Sequence, residues 1–327
     1  MTRWLVPFLT LVLLALCAVS LLAGTVWLSP ADVMGGLISP SPDLAQIVVT
    51  QVRLPRLVMG LMLGGILGLS GAVLQGLFRN PLAEPGLLGV SAGASLGAVL
   101  ALYYGFAAWF ALATPLFALG GALATVGVAL ALGRTGGTLS LILAGVAVSA
   151  IAAAGVSLAL NLAPNPFAAY EIMTWLMGSL TDRSWDHVIL SGPFILAGAT
   201  LLLVTGRALD ALSLGERQAE SLGANLGRTR LFALLGTALG VGAATAVTGA
   251  VGFVGLLAPH LVRPVMGHRP GAILVPSALA GMILVIAADI ATRLLRFGTD
   301  IKLGVLISVI GAPFFLWLVI HIRKTGS

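Results

Sequence analysis

Charge is scarce in this chain of 327 residues: Asp, Glu, Lys and Arg make up only 9% of it, against roughly 25% in soluble domains. A hydrophobic share of 59% and a mean hydropathy of +1.09 accompany that scarcity. Together they exclude a soluble globular domain and predict an all-α polytopic membrane protein. Cysteine is scarcer still. Cys17 is the only one, which excludes an intrachain disulfide and a cysteine-held metal cluster. Lysine occurs only as Lys302 and Lys324, neither preceded by the glycines of GxxxxGK[ST], so a P-loop is missing. If ATP drives this protein, another subunit binds it. The four histidines, His187, His260, His268 and His321, lie far apart and lack any metal-ligand spacing such as HExxH. Gly93 to Gly97 spells G-x-S-x-G, but it sits in an apolar helical run rather than at a strand-to-helix turn, so no nucleophile elbow is expected. The net charge of +6 is scattered singly, and no basic cluster suited to nucleic acid exists.

Glycine, by contrast, is abundant. The 42 glycines include the GxxxG pairs Gly60/Gly64, Gly89/Gly93/Gly97 and Gly236/Gly240, and small residues let membrane helices approach closely. Apolar runs of about 20 residues cross a bilayer, and they fall near 5–28, 57–78, 86–106, 112–133, 139–161, 188–207, 229–250, 252–267, 271–293 and 303–322. The first resembles a signal peptide but is long for one, so it is read as an uncleaved helix. The eighth is short and carries Pro259 and His260. Ten spans put both termini on one side. Placing that side in the cytoplasm leaves eleven basic residues inside and six outside, as the positive-inside rule requires. Trp27, Trp109, Trp185 and Trp317 fall at or near span ends.

Three polar features stand out. The turn within GAVLQGLFRNPLAEPGLLGVSAG, from Gly71 to Gly93, crowds Asn80, Pro81, Glu84 and Pro85 between apolar segments. Non-helical backbone of this kind belongs at a water face or lining a cavity. The segment from about 208 to 228 contains SLGERQAESLG, one or two short amphipathic helices separated by glycine, and a protein-docking role is favoured over a helix resting on the membrane. Asp289 is the one acid well inside a span. It could couple a cation, but Arg293 lies one helical turn on, and an intrahelical ion pair is the expected arrangement.

These segments resemble the permease subunits of type II ABC importers, the FecCD-type family for iron–siderophores, haem and cobalamin. The resemblance rests on RLPR at Arg53 to Arg56, NPLAEPGLLG from Asn80, WLMG from Trp175, SLGERQAESLG, GAVGFVGLLAPHLVR from Gly249, ADIATR from Ala288 and GAPFF from Gly311. It implies the type II permease fold over residues 1–327 as one domain, with about ten helices and coupling helices near 208–228. It implies a second permease subunit, with a homodimer favoured, and two cytoplasmic ATPase subunits that bind ATP and Mg. A periplasmic substrate-binding protein, an inner-membrane location and a chelated metal cargo also follow, with ferric siderophore first and haem or cobalamin as alternatives. The chain itself is then a transport subunit without catalytic, metal or cofactor residues.

By position, Arg53, Arg56 and Arg293 correspond to outward-facing arginines that meet acids of the binding protein, with Arg296 a further candidate. Leu214, Gly215, Glu216, Ala219, Leu222 and Gly223 correspond to ATPase-coupling positions. Asn80, Leu82 and Thr138 correspond to the cytoplasmic gate. A Pro-Ile/Val-Gly step common before the family's last helix is replaced here by Lys302–Leu303–Gly304. The added charge could alter partner pairing or favour an anionic ligand.

Overall fold

In the computed structural model the described residues are 2–24, 26–38, 44–110, 112–133, 137–267, 269–295 and 300–325, and among them there is no strand. Ten helices carry the apolar runs: α1 Thr2–Leu22, α2 Leu54–Phe78, α3 Val90–Tyr103, α4 Ala113–Gly133, α5 Gly137–Asn161, α6 Trp185–Leu203, α7 Leu226–Thr248, α8 Val254–Met266, α9 Pro270–Leu294 and α10 Leu303–Thr325. Among the described residues, seven stretches are long and apolar enough to cross a membrane; α3, α8 and the apolar part of α10 are shorter.

Two boundaries differ from expectation. The helix expected from residue 57 begins at Leu44 and runs through a π-helical segment, Val48–Arg53, into α2. Pro55, in the first turn of α2, has no N–H to bond back to the preceding turn, and its ring crowds that turn. A wider local winding directly upstream is one way to absorb both effects. The third span, expected from residue 86, is divided. Pro85–Leu88 form a single 3-10 turn, Gly89 takes φ 77°, and α3 starts at Val90. Only a residue without a Cβ adopts that φ readily.

α2 and α7 are buried on most sides and form the centre of the bundle. α2 packs along α9, α3 along α4, and α6 along α7. Glycine makes these seams possible. A Cβ on Gly64 or Gly68 would strike the α9 backbone at Gly281 or Ser277, and one on Gly97 would strike Phe117 O of α4. Lipid supplies no hydrophobic force between helices, so close van der Waals approach has to hold them. The tightest approach is Gly71 of α2 against the Gly255 carbonyl of α8. Gly71→Val is therefore expected to destabilise the chain by about 1–3 kcal/mol. Gly120→Val, where nothing lies within 4 Å of an added Cβ, should stay within about 0.5 kcal/mol. Denaturation of the purified chain in detergent measures both, and equal effects would contradict the packing account.

Candidate functional site

At one end of the bundle, the C-terminus of α1, the start of α2 and the end of α9 meet around a carboxylate. Asp289 is 1% exposed. Arg56 grips it with two groups, Nε donating to Oδ1 at 3.0 Å and NH2 to Oδ1 at 2.8 Å. Arg293, one turn along α9, also pairs with it, with Nε donating to Oδ2 at 3.0 Å. Arg293 continues to α1, where NH1 donates to the carbonyls of Ser20 at 2.8 Å and Ala23 at 3.0 Å, and NH2 to Ser20 Oγ at 2.8 Å. Arg53 donates to the Leu21 carbonyl at 2.5 Å and the Val26 carbonyl at 2.6 Å. The last carbonyls of a helix have no partner within it, and they carry the negative end of its dipole. Two arginines satisfy that need for α1.

The expected Asp289–Arg293 ion pair is thus present, and Arg56 is its third member. The arginines read as outward-facing are also engaged within the chain. Arg53 is buried at 7% exposure, while Arg293 and Arg56 are half-buried residues whose side chains retain 8% and 17%. Arg296 lies outside the described residues. Arg53, Arg56, Arg293, Asp300 and half-buried Lys302 border one open cavity of 1090 Å³. Nearby Arg183, in the turn before α6, has its pKa pushed down by burial, with Asp182 opposing the shift.

Towards the middle, the WLMG segment, Gly249–Ala250 and Gly304 converge. Ser179 N–H donates to the Thr248 carbonyl at 2.7 Å and Gly304 N–H to the Gly178 carbonyl at 3.3 Å. A Cβ on Gly304 would come within 2.7 Å of the Ala250 carbonyl, so the glycine survives in the Lys302–Leu303–Gly304 step although its neighbours depart from the family pattern. Beside this seam lies a cavity of 680 Å³ bordered by Leu176, Met177, Val305, Ser308, Val309 and Pro313, with no charged side chain in its lining. Sequence reading assigned none of these residues.

The Asn80 turn closes the far end of α2. Arg79 caps the helix in the left-handed region at φ 49°, and Asn80 Oδ1 accepts from Leu82 N–H at 2.9 Å, the side chain mimicking a backbone turn. Leu82 is half-buried. Thr138 lies in the first turn of α5. Glu84 accepts from the Phe253 N–H, and burial pushes its pKa up more than that bond lowers it. Phe253 sits at φ 64° and rests against Gly311 of GAPFF. Gln75 joins the same junction, accepting from Arg263 NH2 at 2.6 Å. Three of the sequence motifs therefore meet at one place.

α6 ends in two short helices, Gly206–Leu212 and Glu216–Ser221, on the opposite side of the bundle from Asp289. Gly215 at φ 109° separates them and Gly223 at φ 84° follows the second. Leu214 and Leu222 project into the open, at 62% and 66% exposure, whereas Ala219 is fully buried against the bundle. Glu216 pairs with Arg230 of α7 at 2.8 Å. Asp210 accepts from Gly271 N–H at the start of α9 at 2.7 Å, a tie that sequence reading missed. A push on the short helices therefore has two polar routes into the bundle, one to α7 and one to α9.

The sequence matches the FecCD transport family over residues 11–321. It is 37% identical over 281 residues to the hemin transport system permease protein HmuU of Yersinia pestis, covering 84% of each chain. It is 35% identical over 312 residues to the Fe(3+)-citrate import system permease protein YfmE of Bacillus subtilis (strain 168), covering 95% of this chain and 92% of that one. A solved structure of an inward-facing conformation of a metal-chelate type ABC transporter superposes with a TM-score of 0.83 at 33% identity, over 97% of this chain and 98% of that one. The ten apolar helices, their glycine seams and these likenesses agree: the chain is a multi-pass membrane protein with the type II ABC importer permease fold, and it belongs to the FecCD transport family.

Proposed function

We propose that this chain is the membrane-spanning subunit of an ATP-driven importer for a chelated metal compound, with a ferric siderophore as the leading cargo. The carrying observation is the pair of short helices at Gly206–Ser221, which expose Leu214 and Leu222 while Glu216 and Asp210 tie them to α7 and α9. Apolar side chains on a short, firmly seated segment suit docking to a soluble ATPase, and nucleotide-driven closure of that partner can be delivered as a rigid-body displacement. Two ATPase subunits would hold ATP and Mg in the cytoplasm, where both termini of this chain also lie.

Two copies of the permease would face each other across the apolar 680 Å³ cavities, whose size suits a bulky ligand. A cavity lined by Leu176, Met177, Val309 and Pro313 offers a large chelate few polar anchors, which favours release over retention. The basic cavity around Arg56 and Lys302 would face a periplasmic binding protein, where charge complementarity steers encounter and sets register. Asn80, Leu82 and Thr138 would form the cytoplasmic gate.

Two of the relatives are named for iron chelates, hemin and Fe(3+)-citrate, and others of similar identity for cobalamin or vitamin B12; iron is placed first as the cargo for which the family is broadest. Haem is the second reading and cobalamin the third. Uptake by cells lacking the chain, measured with radiolabelled ferric siderophores, haem and cobalamin in parallel, separates them. Loss confined to a ferric siderophore supports the reading; loss confined to cobalamin or haem replaces it with that alternative.

A further inference from the structure

We propose that the cavity between the end of α6 and the start of α7 is a phosphate site for an anionic phospholipid headgroup. The cavity holds 440 Å³ and is lined by Arg207, Arg228, Thr229, Asn225 and Phe232, with no carboxylate among its lining residues. Both arginines are exposed, and neither takes part in the ion pairs of the described residues. Arg228 is held in place over the Phe232 ring, its guanidinium carbon 4.8 Å from the centroid. The neighbouring acids are engaged elsewhere: Glu216 with Arg230 and Asp210 with Gly271 and Arg269. Arg207 and Arg228 therefore line one cavity without a counter-charge, and guanidinium groups match phosphate oxygens in geometry.

The position selects a lipid over a free ion. α6 and α7 belong to candidate spans, and the cavity lies where one helix ends and the next begins, a place that falls near a membrane surface if both helices cross. Val204, on its rim, is 58% exposed, and the adjoining helix residues Leu203 and Leu231 are 46% and 43% exposed. A headgroup phosphate can enter between the arginines while its acyl chains run along those side chains. Basic pockets between spanning helices at the membrane surface take acidic headgroups in this way. Leu222, Gly223 and Ala224 form the opposite wall, so a bound lipid would brace the segment that follows the second short helix against α7. This inference needs the spans but not the cargo, and its test does not depend on transport.

The test is native mass spectrometry of the purified, delipidated full chain, titrated with palmitoyl-oleoyl phosphatidylglycerol and separately with the phosphatidylcholine of the same acyl chains. The phosphatidylglycerol is expected to bind the unaltered chain about tenfold or more tightly than the phosphatidylcholine. The double variant R207Q/R228Q should lose that preference, and each single variant should lose part of it. R79Q removes an exposed arginine away from this cavity and should keep it. Three results would overturn the proposal: full preference in R207Q/R228Q, equal loss in R79Q, or complete displacement of the lipid by millimolar inorganic phosphate, which would mark a free-anion site.

Discussion

Asp289→Ala is expected to lower the stability of the chain by about 3–5 kcal/mol, because it leaves two guanidinium groups without the carboxylate that compensates them. Arg56 and Arg293 both converge on this side chain, and Arg293 also fastens α1. The loss should therefore be read in two places: in the unfolding midpoint in detergent, and in proteolytic access to residues 20–24 at the end of α1. Asp289→Asn keeps the volume and part of the hydrogen bonding, so it should fall between alanine and the unaltered chain. Pairing Asp289→Asn with Arg56→Gln should cost less than the sum of the two single changes, since they share one interaction. Strict additivity, or an Asp289→Ala cost below about 1 kcal/mol, would show that the cluster does not act as a unit. The same geometry argues against Asp289 as a cation-coupling group, because its oxygens are already occupied by two arginines.

The second large effect is expected at the short helices. Gly215 sits at φ 109°, and proline fixes φ near −65°, so Gly215→Pro must swing the Glu216–Ser221 helix out of place. Transport should be lost while the permease and ATPase still assemble. Leu214→Glu and Leu222→Glu act differently. They leave the backbone alone but put charge on two exposed apolar side chains, and each should weaken ATPase attachment by about 2 kcal/mol, or roughly thirtyfold, if it is an interface anchor. Ala219 makes a contrast. It is fully buried, so Ala219→Glu should injure the folded chain itself. Uptake assays together with pull-down of the ATPase separate the three cases, and retained transport in Gly215→Pro would count heavily against the docking role.

How much of this was legible beforehand depends on the range over which each feature is determined. The ten spans follow from continuous apolar runs, and each has a matching helix in the structure. The ion pair of Asp289 with Arg293 was legible because the partners are one turn apart on a helix. Arg56 is 233 positions away from Asp289, and no local pattern announces that contact. The Asp210–Gly271 tie escaped for the same reason. The SLGERQAESLG segment reads as one or two short amphipathic helices, with nothing local to tell Ala219 from Leu214 and Leu222. The two positive-φ glycines break the helical register there, sending Ala219 inward and the two leucines outward. The arginines of RLPR and ADIATR come together at one end of the bundle, and their burial reflects the carbonyls at the end of α1, a demand that appears only once the helices are assembled. The shift at the third span comes from Gly89, whose φ is set by the turn around it rather than by hydropathy.

The central claim is that this chain works with an ATPase it does not itself contain. The most direct measurement is to tag the chain in its native host, extract it gently from the membrane and identify what co-purifies. The account predicts a soluble ATPase in a fixed ratio to the permease, released by Leu214→Glu with Leu222→Glu. A particle of this chain alone that moves substrate in vesicles without ATP would contradict it.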